Sequence, residues 1–156
     1  RGESGGEATM DARLQRMASG AGKRMAHLET LEQQLQALDC VPASEHSMVL
    51  AERLRGSWNL RIESAEAMAF YRGRNLDAWL ASIDEMEGLG EQAKAIEQRS
   101  RRCLLEDRNA RWIGLLETLF QDGPCLVAVG AVHLVGQDGL LAALRRDGYT
   151  IKAVPL

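Results

Sequence analysis

Apolar positions recur along this chain first at helical spacing and then, past residue 122, as short unbroken runs. In Asp11 to Ser19, Leu14, Met17 and Ala18 lie at helical offsets, and Gly20 and Gly22 close the element. Lys23 to Leu28 reads as a short strand. Thr30 and Gln33 then have the spacing of a capping box, in which hydroxyl and amide satisfy first-turn donors. Leu31, Leu35 and Leu38 continue that helix until Pro42 ends it. From Ser44 to Met86 the pattern is helical with breaks. Met48, Ala51 and Leu54 form one stripe, Gly56-Ser57 interrupts it, and Leu60 to Tyr71 form the next, closed by Gly73. Asn75 caps a third helix carrying Trp79, Leu80 and Ile83, and Gly88 and Gly90 mark a turn. Glu91 to Phe120 is one helix, which at 1.5 Å per residue would reach about 45 Å, or two stacked ones.

The rhythm changes at the turn signal Asp122-Gly123-Pro124. Cys125 to Val129 is a nearly continuous apolar run, the pattern of a strand buried on both faces. Gly130 ends it, letting the backbone turn sharply and leaving room for the imidazole of His133. Gly136 opens a helix carrying Leu140, Leu141 and Leu144, which stops at Gly148. Tyr149 to Val154 reads as a second strand, with Thr150 and Lys152 on one face. These elements predict a helix-rich α/β domain: a small mixed sheet flanked by helices, with a helical insertion over about residues 43–103 and a flexible tail over 1–10. In that fold His133 sits just past the carboxyl end of a strand, where open α/β sheets place their ligand sites. Glu29 lies at a similar strand-to-helix junction.

One charged residue sits where its helix is apolar. Leu104, Leu105, Trp112, Leu115 and Leu119 fall at offsets −4, −3, +4, +7 and +11 from Arg108. A guanidinium centred on such a stripe is costly unless it finds a carboxylate or other acceptors, Glu29 and Glu106 being the candidates. Asn109 stands one step round, at the stripe's margin.

The 156 residues are 46% hydrophobic and 26% charged, which suits one globular domain. A net charge of −3 supplies no basic field to draw in nucleic acid or an anionic membrane. No apolar run approaches the roughly 20 residues that span a bilayer. The chain opens at Arg1 without Met, which leaves a removed leader open. Cys40, Cys103 and Cys125 form no metal-spaced pair and read as three largely buried thiols, so the redox compartment stays open. His27 and His46 read as solvated, Lys23-Arg24 as surface, and Arg99 to Arg102 as an exposed helix face. Trp58, Trp79 and Met68 read as core or cover residues.

The run Gly130-Ala131-Val132-His133-Leu134-Val135-Gly136, with the helix and the Gly-Tyr-Thr-Ile segment after it, resembles the C-terminal end of the TraB/GumN family. That family is similar in turn to Tiki-type metalloproteases and to the erythromycin-esterase-like fold. Its mark is two Gly-x-x-His motifs with a Glu and an Arg-Asn pair between them. Here Gly130 to His133 matches the second motif, and Glu29, Arg108 and Asn109 match the intervening residues. The first motif is absent, since neither His27 nor His46 follows a glycine at that offset. The resemblance covers most of the chain and implies the C-terminal part of such a domain, or a degenerate member. Bacterial relatives are commonly envelope-associated, which leans towards the periplasm.

The resemblance implies a metal-dependent hydrolase acting on peptide or protein substrate. His133 and Glu29 would ligate a divalent ion (manganese, cobalt or zinc), or His133 would act as general base. The ion would make hydroxide available from bound water at neutral pH. Arg108 and Asn109 would orient Glu29 or steady an oxyanion. One His and one Glu are fewer than the three protein ligands usual for catalytic zinc, so this chain alone should hold metal weakly or not at all. A missing N-terminal half would bring the other His and complete the sheet; without it, an exposed strand edge invites a homodimer. The rival is a catalytically inactive interaction protein, with Glu29 and Arg108 a structural ion pair, Glu29 a helix-terminal charge and His133 a cap or carbonyl partner. A third reading, an anion-binding turn over Gly130 to Gly136, lacks Gly-x-Gly-x-x-Gly and a P-loop Lys and ranks last.

Overall fold

The structure, a computed structural model, describes residues 9–154. Among the described residues eight α-helices follow one another: α1 Met10–Gly20, α2 Leu31–Leu38, α3 Ala43–Arg55, α4 Ser57–Arg72, α5 Leu76–Glu85, α6 Glu91–Arg101, α7 Asp107–Gln121 and α8 Leu140–Arg146. A π-helical segment, Arg102–Glu106, joins α6 to α7, and a 3-10 turn, Ala131–His133, precedes α8. The helix boundaries follow local chemistry. Thr9 and Asn75 cap α1 and α5 with their side chains. At α2 the capping box is complete, Gln33 N–H donating to Thr30 Oγ1 at 3.2 Å and Thr30 N–H to Gln33 Oε1 at 2.8 Å. Gly56 separates α3 from α4, and Gly73 follows α4. The stretch from Glu91 to Gln121 is one helical run with a π insertion in its middle.

The expected mixed sheet is not formed, and the α/β class is corrected to all-α: among the described residues there is no strand. The segments 23–28, 125–129 and 149–154 have no ladder partner. An apolar run favours extended backbone, but it does not provide the neighbouring strand that would bond its N–H and C=O groups. Burial along 125–129 accordingly alternates. Val127 and Val129 pack on a core cluster, while Leu126 before them is 85% exposed and Ala128 between them faces solvent.

Two apolar clusters hold the fold. Val41, Val49, Met86, Leu89, Ala93 and Ile96 form the first, between α3, α6 and the turn after α5. Trp112, Leu116 and Leu140 form the second, with Leu28, Ile113, Phe120, Val127 and Val129 packed around them. Burial does not follow apolar spacing everywhere. Leu31, Leu35 and Leu38 keep their helical spacing yet all face solvent, as do Trp58 and Met68. Periodicity marks which residues share a face, but not whether another element covers it.

The cysteines are not three buried thiols. Cys40 and Cys103 form a disulfide with Cα atoms 6.5 Å apart, and Cys125 is free and exposed. Disulfides persist in oxidising compartments. Of the Arg99 to Arg102 run, Arg99 pairs with Glu45, and Arg101 lies inward with Asp84 and Glu106 each at 2.7 Å. The carboxylates that draw Arg101 in come from α5 and from one turn ahead on its own helical run, and no periodicity signals the first.

Candidate functional site

Arg108 enters at the first turn of α7, and its apolar stripe aims it into the molecule. Its Nη2 donates to Glu29 Oε1 at 2.6 Å and its Nε to Oε2 at 3.1 Å, a two-pronged pair whose side chains are 16% and 13% exposed. Nη1 donates to the Leu104 carbonyl at 3.0 Å and lies 3.5 Å from His133 Nε2. One turn further along α7, the ring of Trp112 lies under the guanidinium, 4.7 Å from the Arg108 carbon to the ring centroid. The same indole stacks on His133, centroids 4.6 Å apart and tilted by 39°. Glu29 sits beside the N-cap Thr30 of α2, held near the second cluster by Leu28.

His133 is buried, and the other side of its ring is fixed by Asn109. The Asn109 amide nitrogen donates to two backbone carbonyls, His133 at 3.2 Å and Asp138 at 2.8 Å. Its Oδ1 therefore faces the ring as an acceptor, 2.8 Å from His133 Nδ1. Nδ1 carries the proton, and Nε2 presents its lone pair towards Arg108. Burial, then the Arg108 charge, pull the His133 pKa down to about 4, against an opposing pull from Glu29. The imidazole is neutral at pH 7. Hydrogen bonding from Arg108 lowers the Glu29 pKa against the effect of burial, with smaller help from Trp112 and Arg111. Glu29 is thus an anion paired with a cation beside a neutral base.

The loop residues behave unlike one another. Gly130 has φ −58°, and a Cβ there would meet His133 Cδ2 at an ordinary 3.6 Å, so the conformational freedom expected of it is not used. Gly136 does need to be glycine. Its φ is +82°, and a Cβ would lie 2.5 Å from Leu80 Cδ2 of α5. A cavity of about 30 Å³, room for roughly one water, lies between Leu80, Arg101, Asn109 and Gly136.

All four residues that the motifs singled out, Glu29, Arg108, Asn109 and His133, meet in one cluster. His27 and His46 stay exposed and outside it. Sequence reasoning missed Trp112 as a member. Its offset of four from Arg108 on one helix was the available signal, since such pairs stack. The carbonyls of Leu104 and Asp138 had no signal, because every residue has one.

A divalent ion fits this arrangement poorly. His133 has what a ligand needs, a free Nε2 lone pair with Nδ1–H held from behind. Glu29 does not, because both of its oxygens are engaged by Arg108, and that guanidinium stands between carboxylate and imidazole. Among the described residues no three His, Cys, Asp or Glu side chains converge as a metal site would need.

Against known proteins, the family model described as TraB/PrgY/gumN matches residues 2–153. No curated protein and no solved structure matches the chain.

Proposed function

Because the chain belongs to the TraB/PrgY/gumN family, we propose that its Glu29–Arg108–His133–Asn109 cluster is a hydrolytic centre acting on peptide-like carbonyl bonds. The observation that supports this is the pairing of a neutral imidazole, its lone pair directed outward from Asn109, with a preset guanidinium 3.5 Å away. His133 Nε2 would accept a proton from an attacking water. Arg108, held in place by Glu29 and Trp112, would stabilise the oxyanion without rearranging. Glu29 positions Arg108, and Asn109 positions His133. A base with a pKa near 4 is always available at neutral pH but is weak, so positioning and charge stabilisation would supply most of the acceleration. With both oxygens of Glu29 engaged by Arg108, the cluster would act through its own side chains. The disulfide supports an oxidising compartment such as the periplasm.

A second reading is favoured by a specific observation: the Glu29–Arg108 pair satisfies both carboxylate oxygens by itself, as a structural pair in an inactive interaction protein would. The test is hydrolysis of casein and a fluorogenic peptide library, with chelator or with manganese, cobalt or zinc added. The hydrolytic reading expects product that disappears in His133→Ala and falls sharply in Arg108→Met. No product under any of these conditions, or equal rates from His133→Ala, would leave the structural reading. Calorimetric titration of the same ions checks the metal question separately. Tight binding abolished by Glu29→Gln would show that the carboxylate can leave Arg108.

A further inference from the structure

The two apolar clusters are joined by two covalent runs, and one half of the disulfide sits on each. Along the first run, Leu28 packs on the Trp112 cluster, α2 follows, Cys40 comes next, and Val41 is buried in the other cluster. Along the second, Ile96 of α6 belongs to one cluster and Trp112 of α7 to the other, with Cys103 in the π segment between them. The disulfide therefore pins the two connections together where one core passes into the other. It also closes the neck of α3 to α6, which lie between its two cysteines.

α2 lies against the π segment but buries little side chain there. Ala37 is the only buried residue of α2, and its three leucines face solvent. The helix is held by Leu28 and the Glu29–Arg108 pair at its front, and by the disulfide and Val41 behind. The same π segment supplies the Leu104 carbonyl that accepts from Arg108. Cys40 is an exposed residue and Cys103 a half-buried one, which places the bond at the surface side of the π segment.

We propose that Cys40–Cys103 is a redox-modification site whose reduction by a dithiol releases α2 from the π segment and loosens the Glu29–Arg108 pair. A dithiol thiolate attacks the Cys40 sulfur, forming a mixed disulfide and expelling Cys103 as a thiolate that takes up a proton. The second thiol of the reagent then closes on its partner and frees Cys40. The protein gains two electrons and two protons, and the dithiol becomes a disulfide. As control over hydrolysis this rests on the reading above; as a conformational change it does not.

Hydrogen–deuterium exchange tests it on the full chain carrying Cys125→Ser, oxidised and then treated with dithiothreitol. Reduction should speed exchange in residues 29–40 and 102–108 by about tenfold or more, while amides of Trp112 to Leu116 and Leu140 to Leu144 change by less than about twofold. The variant Cys40→Ser/Cys103→Ser should reproduce the reduced pattern without reagent. Unchanged exchange in 29–40 would overturn the proposal, and so would acceleration everywhere, which would make the bond a staple for the whole fold. Peptide hydrolysis measured in the same samples separates the two ideas. Activity lost in His133→Ala with exchange indifferent to reduction leaves the hydrolytic reading standing and removes this one.

Discussion

Asn109 decides which nitrogen of His133 carries the proton. Its amide nitrogen is committed to the carbonyls of His133 and Asp138, so only its oxygen can face Nδ1, at 2.8 Å. The tautomer is thus set by two backbone acceptors acting through a neighbour's side chain. Replacing Asn109 by Leu removes the Nδ1 acceptor. The ring should then populate both tautomers, visible as a shift of the two imidazole ¹⁵N resonances towards each other. Resonances that stay at the Nδ1–H values would show that another group holds the ring.

The Arg108–Glu29 pair should be strongly coupled because it is mostly shielded from water. Arg108→Met leaves an anion without its partner and should cost about 3 kcal/mol in urea unfolding, with Glu29→Gln costing somewhat less because its amide oxygen still accepts. The double variant should recover much of the loss. Costs that simply add in the double-mutant cycle would mean that the two side chains contribute independently.

Acid should unfold the protein early, and the sign follows from both groups. His133 is depressed from an ordinary 6.5 to about 4, so the unfolded chain takes up its proton first as pH falls. That contribution is whole above about pH 6.5 and is lost progressively down to about pH 4. Glu29, lowered by its bond to Arg108, adds a loss in the same direction at and below its usual 4.5. Urea midpoints followed from about pH 7.5 to about pH 4.5 should decline, and His133→Ala should flatten the upper part of that decline. A wild-type profile flat over this range would contradict the burial assigned to the ring.

Gly136→Ala combines a left-handed φ of +82° with a methyl 2.5 Å from Leu80 Cδ2. A loss of about 1–3 kcal/mol is expected from thermal or urea unfolding. Adding Leu80→Ala should relieve the clash but not the backbone strain, so rescue should be partial net of the cavity it opens. Gly130→Ala, with negative φ and ordinary contact distances, should be tolerated far better.

By itself the sequence determined most helix boundaries, though α8 begins at Leu140 and not at Gly136, together with the capping box at Thr30 and the demand of Arg108 for an acceptor. These are local: caps act within a turn, and the cost of burying a guanidinium is legible from the apolar residues around it on one helix. It also singled out Glu29, Arg108, Asn109 and His133. Only the tertiary structure decided that the acceptor is Glu29, 79 residues away, while Glu106 goes to Arg101. It left the strand candidates at 23–28, 125–129 and 149–154 without a sheet, exposed the leucines of α2, and joined Cys40 to Cys103. Each of those outcomes depends on what lies across a gap in space. A side-chain pattern states what a face needs, and folding alone determines which distant group arrives to meet it.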